Sequence, residues 1–161
     1  MFYDLFFTDL LTTGLTLMFI NGFEYVLHQM SHSPKLGGHI YKWHKIHHKV
    51  YHRNRLVSKD YIYETNNNIY LRYIVFIIVT LYFMIPKRVY IIFTGESVIY
   101  GLTMNHLHEQ YHLTDSYLNK YRWFQRNQKL HQLHHKYYTK NMALLSHNYD
   151  KLFHSFLRKE A

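Results

Sequence analysis

Ten histidines in four groups carry the chemistry of this sequence. They are His28 and His32 in HQMSH, His44, His47 and His48 in WHKIHH, His108 and His112 in HEQYH, and His131, His134 and His135 in HQLHH. Spacings of three and four put the rings of each group along one face of a helix. Neutral imidazole is a ligand for iron, zinc, copper or nickel. A structural zinc ion takes four ligands. Ten exceed what one ion can use, so a site for two ions is the economical reading. The chain has no cysteine, which excludes disulfides and thiolate-held zinc or iron-sulfur centres.

The ten rings can converge only if the chain returns residues 108–135 to residues 28–48, and the apolar stretch between them supplies that return. Residues 69–85 and 88–107 read as two membrane spans, each near the ~20 residues that a bilayer helix needs. Pro86, Lys87 and Arg88 form a tight turn between them. A third span, about 5–27, is interrupted by Asp9, Asn21 and Glu24. All four histidine groups then fall on one side of the membrane.

The expected fold is an all-α integral membrane helical bundle of two or three spans with a cytoplasmic histidine-rich helical cap. It forms one domain over 1–161, with cytoplasmic segments 28–68 and 108–161. Within it, SPKLGGHI at 33–40 reads as a loop that stops the first helix at Pro34, Gly37 and Gly38. Residues 114–130 read as an amphipathic helix on the bilayer surface.

Charge supports this topology. Of 19 Lys and Arg, seven lie in 28–68 and nine in 108–161, while residues 1–27 have none. By the positive-inside rule both rich segments face the cytoplasm. Topology thus accounts for the net charge of +9, and no nucleic-acid partner is expected. The 17 tyrosines cluster near the ends of the apolar runs, as interfacial residues do. The mean hydropathy of −0.31 averages apolar spans with polar segments. Residues 1–27 lack a basic start and a small-residue cleavage site, so a signal peptide is not expected.

Four further residues are candidates for supporting the ligands. Glu24 precedes His28 by four and could hydrogen-bond a ligand ring. His106 lies two residues before a group, and His147 lies close to Asp150, which could hold it. Glu96 is a carboxylate within a span. His39, His52 and His154 read as surface residues.

The order HxxxH, HxxHH, HxxxH, HxxHH resembles the fatty acid hydroxylase and sterol desaturase superfamily of membrane di-iron oxygenases. The text is most similar to the fatty acid 2-hydroxylase branch, through EYVLH at 24–28, HKIHHKVYHRNRLV at 44–57 and HQLHHKYYTKNMALLSHNYDKLFHSFL at 131–157. HQMSH has three intervening residues, as sterol-modifying members do, where the 2-hydroxylase branch has four. The resemblance implies two Fe ions on the ten histidines, with zinc as a substitute, and O2 as co-substrate. It implies hydroxylation of a lipid acyl chain. The alternatives are a sterol or carotenoid oxidase or desaturase, and a non-catalytic metal-binding membrane protein on the same scaffold. The implied partners are a lipid substrate, the membrane, and an external electron donor such as cytochrome b5 or a ferredoxin-type reductase system. The implied location is the endoplasmic reticulum in a eukaryote or the inner membrane in a bacterium.

Overall fold

The computed structural model describes residues 2–63 and 69–159, so the end of the segment expected over 28–68 lies outside the described residues. Among the described residues the elements are α1 (Phe2–Ser31), α2 (Pro34–Val50), α3 (Ile69–Met84), α4 (Lys87–Tyr111), a 3-10 turn (Tyr117–Lys120), α5 (Arg122–Lys136) and α6 (Asn148–Leu152). They contain no strand. A lone parallel bridge joins Ser58 to Leu113. The expected all-α class holds.

α1 is 30 residues long, or about 45 Å at about 1.5 Å per residue. Among the described residues it is the one helix long and apolar enough to cross a membrane, over Leu5–Ser31. The three polar residues that interrupt it are satisfied within the protein. Asp9 accepts a forked pair of 2.6 Å hydrogen bonds from Arg88 at the start of α4. Asn21 donates to the Leu17 carbonyl one turn back, and Glu24 accepts from Tyr100. Polar groups paired in this way no longer oppose an apolar helix. Around them Phe6, Phe7, Leu10, Leu11, Leu15, Met18 and Phe19 stay exposed. An apolar surface of this extent is that of a protein–protein or membrane contact.

α3 and α4 follow one another through a turn at Ile85 and Pro86, as the helices of a hairpin, but among the described residues neither is both long and apolar enough to cross a membrane by itself. α3 has only 16 residues. α1 packs along both α2 and α4. Met104, Leu107 and Tyr111 of α4 meet Leu118 and Phe124 in the main apolar core, which seats α5 beneath the end of α4.

Two expectations are corrected. The 33–40 segment is helical, because Ser33 caps the Leu36 N–H and Pro34 occupies the first turn, where its missing N–H costs nothing. Pro34 therefore starts a helix after the turn at His32 and Ser33, and the expected interruption at the glycines is reduced to a kink inside α2. Gly38 kinks α2 with φ +50°. Gly37 is required for close approach, since a Cβ there would lie 2.3 Å from the Met30 carbonyl oxygen. The second correction concerns only the bounds of the helix read over 114–130. The chain forms a 3-10 turn and then α5, and α5 continues through the last histidine triplet with that face buried.

Candidate metal centre

α1 ends at His28 and His32, α2 carries the first triplet, α4 ends at His108 and His112, and α5 carries the second triplet. These four helix segments bring all ten rings together, and they do so as two groups of five. The first is His28, His32, His44, His48 and His134; the second is His47, His108, His112, His131 and His135. In each group one potential ligand atom per ring lies within 4.8 Å of every other.

In the first group His44 Nε2 lies 3.0 Å from His28 Nε2 and 2.9 Å from both His32 Nε2 and His48 Nε2. His134 Nε2 lies 3.1 Å from His32 and 3.2 Å from His48. In the second group His47 Nε2 lies 3.1 Å from His112 and 3.2 Å from His135. His131 Nε2 lies 3.0 Å from His112 and 3.1 Å from His135. The His108 ring sits 4.6 Å from that of His47 and 4.9 Å from that of His131, centroid to centroid. The two groups abut at His48 and His135, whose ring centroids are 4.2 Å apart.

Four rings have their tautomer set by backbone carbonyls. A carbonyl only accepts, so each Nδ1 facing one carries the proton and leaves Nε2 as a lone pair. His134 donates to Lys140 and His28 to Met142 in the first group. In the second, His112 donates to Leu56 and His135 to Tyr51, at 2.9 and 2.6 Å. Each group therefore contains two fixed lone pairs aimed at a common centre. Lone pairs converging in this way repel unless a cation lies between them. An all-imidazole donor set of this kind fits a transition-metal ion such as iron or zinc.

Burial reinforces that state. It holds His44, His47, His131, His134 and His135 well below the ordinary imidazole range, and the adjacent rings add to the effect. His112 falls to about 4 through burial, against the opposing pull of the Leu56 carbonyl. Neutral imidazole is the ligating form.

The fatty acid hydroxylase family profile matches residues 13–155. The chain belongs to the fatty acid hydroxylase family. Comparison with curated proteins and with solved structures gives no match. Membership implies an oxygenase that works with iron and associates with a membrane. In this family member the matched stretch takes in all four histidine groups.

The supporting residues stand differently from their sequence reading. Glu24 does not touch His28. Tyr100 donates to its Oε2 at 2.5 Å and the Leu144 N–H to its Oε1 at 2.9 Å, so the carboxylate holds the 141–144 segment rather than a ring. His106 is exposed and bonds the Tyr117 hydroxyl at 2.8 Å, away from both groups. His147 does meet Asp150, donating to it at 2.9 Å, but neither touches one of the ten rings.

Asp150 is fully buried and accepts from the Met142 and Ala143 N–H groups and from Ser155. Burial pushes its carboxyl upward, yet the bonds from His147, Ser155, Ala143 and Met142 outweigh burial and leave it below the usual range. It fixes the residue whose carbonyl orients His28.

Sequence reasoning missed the carbonyls and two tyrosines. Tyr51 is 0% exposed and stacks on His112 at 3.9 Å while also contacting His47. Tyr138 is 49% exposed and covers His48 at 4.7 Å and His32 at 5.9 Å. A signal for both was present, since the repeat extends beyond HxxHH to HxxHHKxY, in HKIHHKVY at 44–51 and HQLHHKYY at 131–138.

Proposed function

We propose that this protein catalyses O2-dependent hydroxylation of a lipid acyl chain at a di-iron centre held by the ten histidines. The observation that carries this reading is the division of those histidines into two five-ring sets, each with ligand atoms within 4.8 Å of one another. His28, His32, His44, His48 and His134 would hold one ion, and His47, His108, His112, His131 and His135 the other. When bound, the iron pair supplies reductive activation of O2 for attack on a C–H bond.

The chain's own residues do the positioning. Carbonyls of Met142, Lys140, Leu56 and Tyr51 hold four rings with Nε2 toward the metals. Tyr51 closes the second set from water, and Tyr138 partly covers the first. Burial keeps the rings neutral. No carboxylate is a ligand in this scheme, so two ferrous ions would leave the centre cationic.

The hairpin α3 and α4 would cross the membrane beside α1 and return the chain to the side of the histidines, which the basic residues assign to the cytoplasm. The acyl chain would enter from the membrane. Electrons would come from an external donor of the cytochrome b5 or ferredoxin-reductase kind. The 2-hydroxylase branch is favoured by the text around the second and fourth histidine groups. A sterol or carotenoid oxidase or desaturase is the second reading, and the three-residue spacing of HQMSH supports it.

The test is elemental analysis of detergent-purified protein after anaerobic iron reconstitution, followed by lipid turnover under O2 with a reductant. Two ions per chain and a hydroxylated acyl product are expected. Zero or one ion would overturn the dinuclear centre, and two ions without lipid oxidation would favour a metal-binding scaffold.

A further inference from the structure

α5 has two chemically distinct faces. His131, His134 and His135 point into the protein, and the opposite side carries Arg122, Arg126 and Lys129 at spacings of four and three. These three cations line an open cavity of about 450 Å³, together with Gln125, Leu130 and Arg158 from the C-terminal segment. The four cations are exposed while Leu130 forms a buried floor. None of the four has an acidic partner or a hydrogen-bond acceptor among the described residues.

Four like charges around one concavity repel each other, and an anion placed among them removes that repulsion. Three of the four are arginines, whose forked guanidinium matches phosphate oxygens in pairs. At the start of α5, next to Arg122, Tyr121 and Trp123 expose large aromatic side chains. Trp123 precedes Arg126 and Leu130 by three and seven residues, so it borders the same face. Tyr and Trp beside cations are the composition of a surface that sits among lipid headgroups. The chain already carries a helix able to cross the bilayer.

We infer that the outer face of α5 with Arg158 is a binding site for the phosphate of an anionic glycerophospholipid, held at the membrane surface. The site is separate from the histidine sets and does not depend on their metal. It would clamp α5, and so three of the ten histidines, to the bilayer surface.

The experiment is a thermal-stability titration of the full-length protein in neutral detergent. The probes are short-chain phosphatidylglycerol, short-chain phosphatidylcholine, inorganic phosphate and a poly-glutamate peptide. Phosphatidylglycerol should stabilise saturably and phosphatidylcholine at least tenfold more weakly, and added salt should weaken the effect. The double variant Arg122→Gln/Arg126→Gln should lose at least tenfold in apparent affinity for phosphatidylglycerol while keeping wild-type metal content. Arg158→Gln alone, which alters no helix residue, should lose a smaller part.

Equal responses to the two lipids, or unchanged affinity in both variants, would overturn the site. Inorganic phosphate matching phosphatidylglycerol would reassign it to free phosphate. Saturation by poly-glutamate without any lipid response would reassign it to an acidic protein. Either result would overturn the lipid assignment.

Discussion

His47 and His48 are consecutive on α2 and belong to different histidine sets. His48 Nε2 lies 2.9 Å from His44 Nε2 in the first set, and His47 Nε2 lies 3.1 Å from His112 Nε2 in the second. The α5 triplet divides the same way in mirror assignment: His131 and His135 join the second set, and His134 joins the first. Each HxxHH triplet thus contributes its i and i+4 rings to one set and its i+3 ring to the other. The tyrosine three residues beyond each triplet covers the set that receives the i+3 ring. Tyr51 lies on His47 and His112, and Tyr138 on His48 and His32. The two triplets are therefore equivalent halves of one arrangement.

The division predicts which ion each histidine controls. His44→Ala should lower the metal content from two ions per chain toward one, and His131→Ala should do the same through the other set. The double variant should approach zero. All three should lose turnover. Elemental analysis of the reconstituted proteins checks this, and a single variant that loses both ions at once would count against two separable sets.

Tyr138 should act through its ring. It has no hydrogen-bond partner among the described residues, yet its ring covers His48 and His32. Removing the ring opens the first set to water, so Tyr138→Ala should let a chelator extract about half the metal several-fold faster. Tyr138→Phe should behave as wild type. Extraction kinetics followed by metal-indicator absorbance decide the matter. Equal rates in all three proteins would mean the ring shields nothing.

Asp150→Asn should destabilise the protein by about 2–3 kcal/mol, since a buried carboxylate accepting several bonds is replaced by a group that cannot accept them all. The pH dependence follows from the lowered carboxyl of Asp150. Its contribution is complete above the unfolded carboxyl value near about 3.9 and is lost as pH falls through the lower folded value. The gap in thermal midpoint between wild type and variant, both stripped of metal, should be constant from neutral pH and shrink in strong acid. A gap that widens on acidification would contradict the assignment.

Gly37→Ala should separate α1 from α2. Its Cβ would lie 2.3 Å from the Met30 carbonyl oxygen and 2.9 Å from the Tyr41 Cβ, and neither atom can move without its helix. Overpacking of this kind costs about 1–3 kcal/mol, and the displacement should also pull His28 and His32 from His44, lowering metal content. Gly14→Ala meets nothing within 4 Å and should be neutral or stabilise α1 by about 0.5–1 kcal/mol. Thermal stability and metal analysis of the two variants compare them directly.

Much of the site was legible in residue type and spacing. A pair or triplet of histidines at helical spacing marks a ligand face whatever the helix packs against, and the turn at Pro86 between two apolar runs requires the chain to come back. Helix geometry also holds the division in latent form. At about 100° per residue, the i+4 ring returns to within about 40° of the first, and the i+3 ring falls about 60° to the other side.

Which ring faces which partner was decided only by the packing of α1, α2, α4 and α5, because an angular offset on one helix acquires a direction only against its neighbours. The same reason explains the misread residues. Glu24 stands four before His28, as a ring-orienting carboxylate should, but its two oxygens accept from Tyr100 and the Leu144 N–H instead. The groups that do orient the rings are the carbonyls of Tyr51, Leu56, Lys140 and Met142. Every residue has a carbonyl, so side-chain identity carries no trace of which ones are used, and only the path of the folded chain selects them.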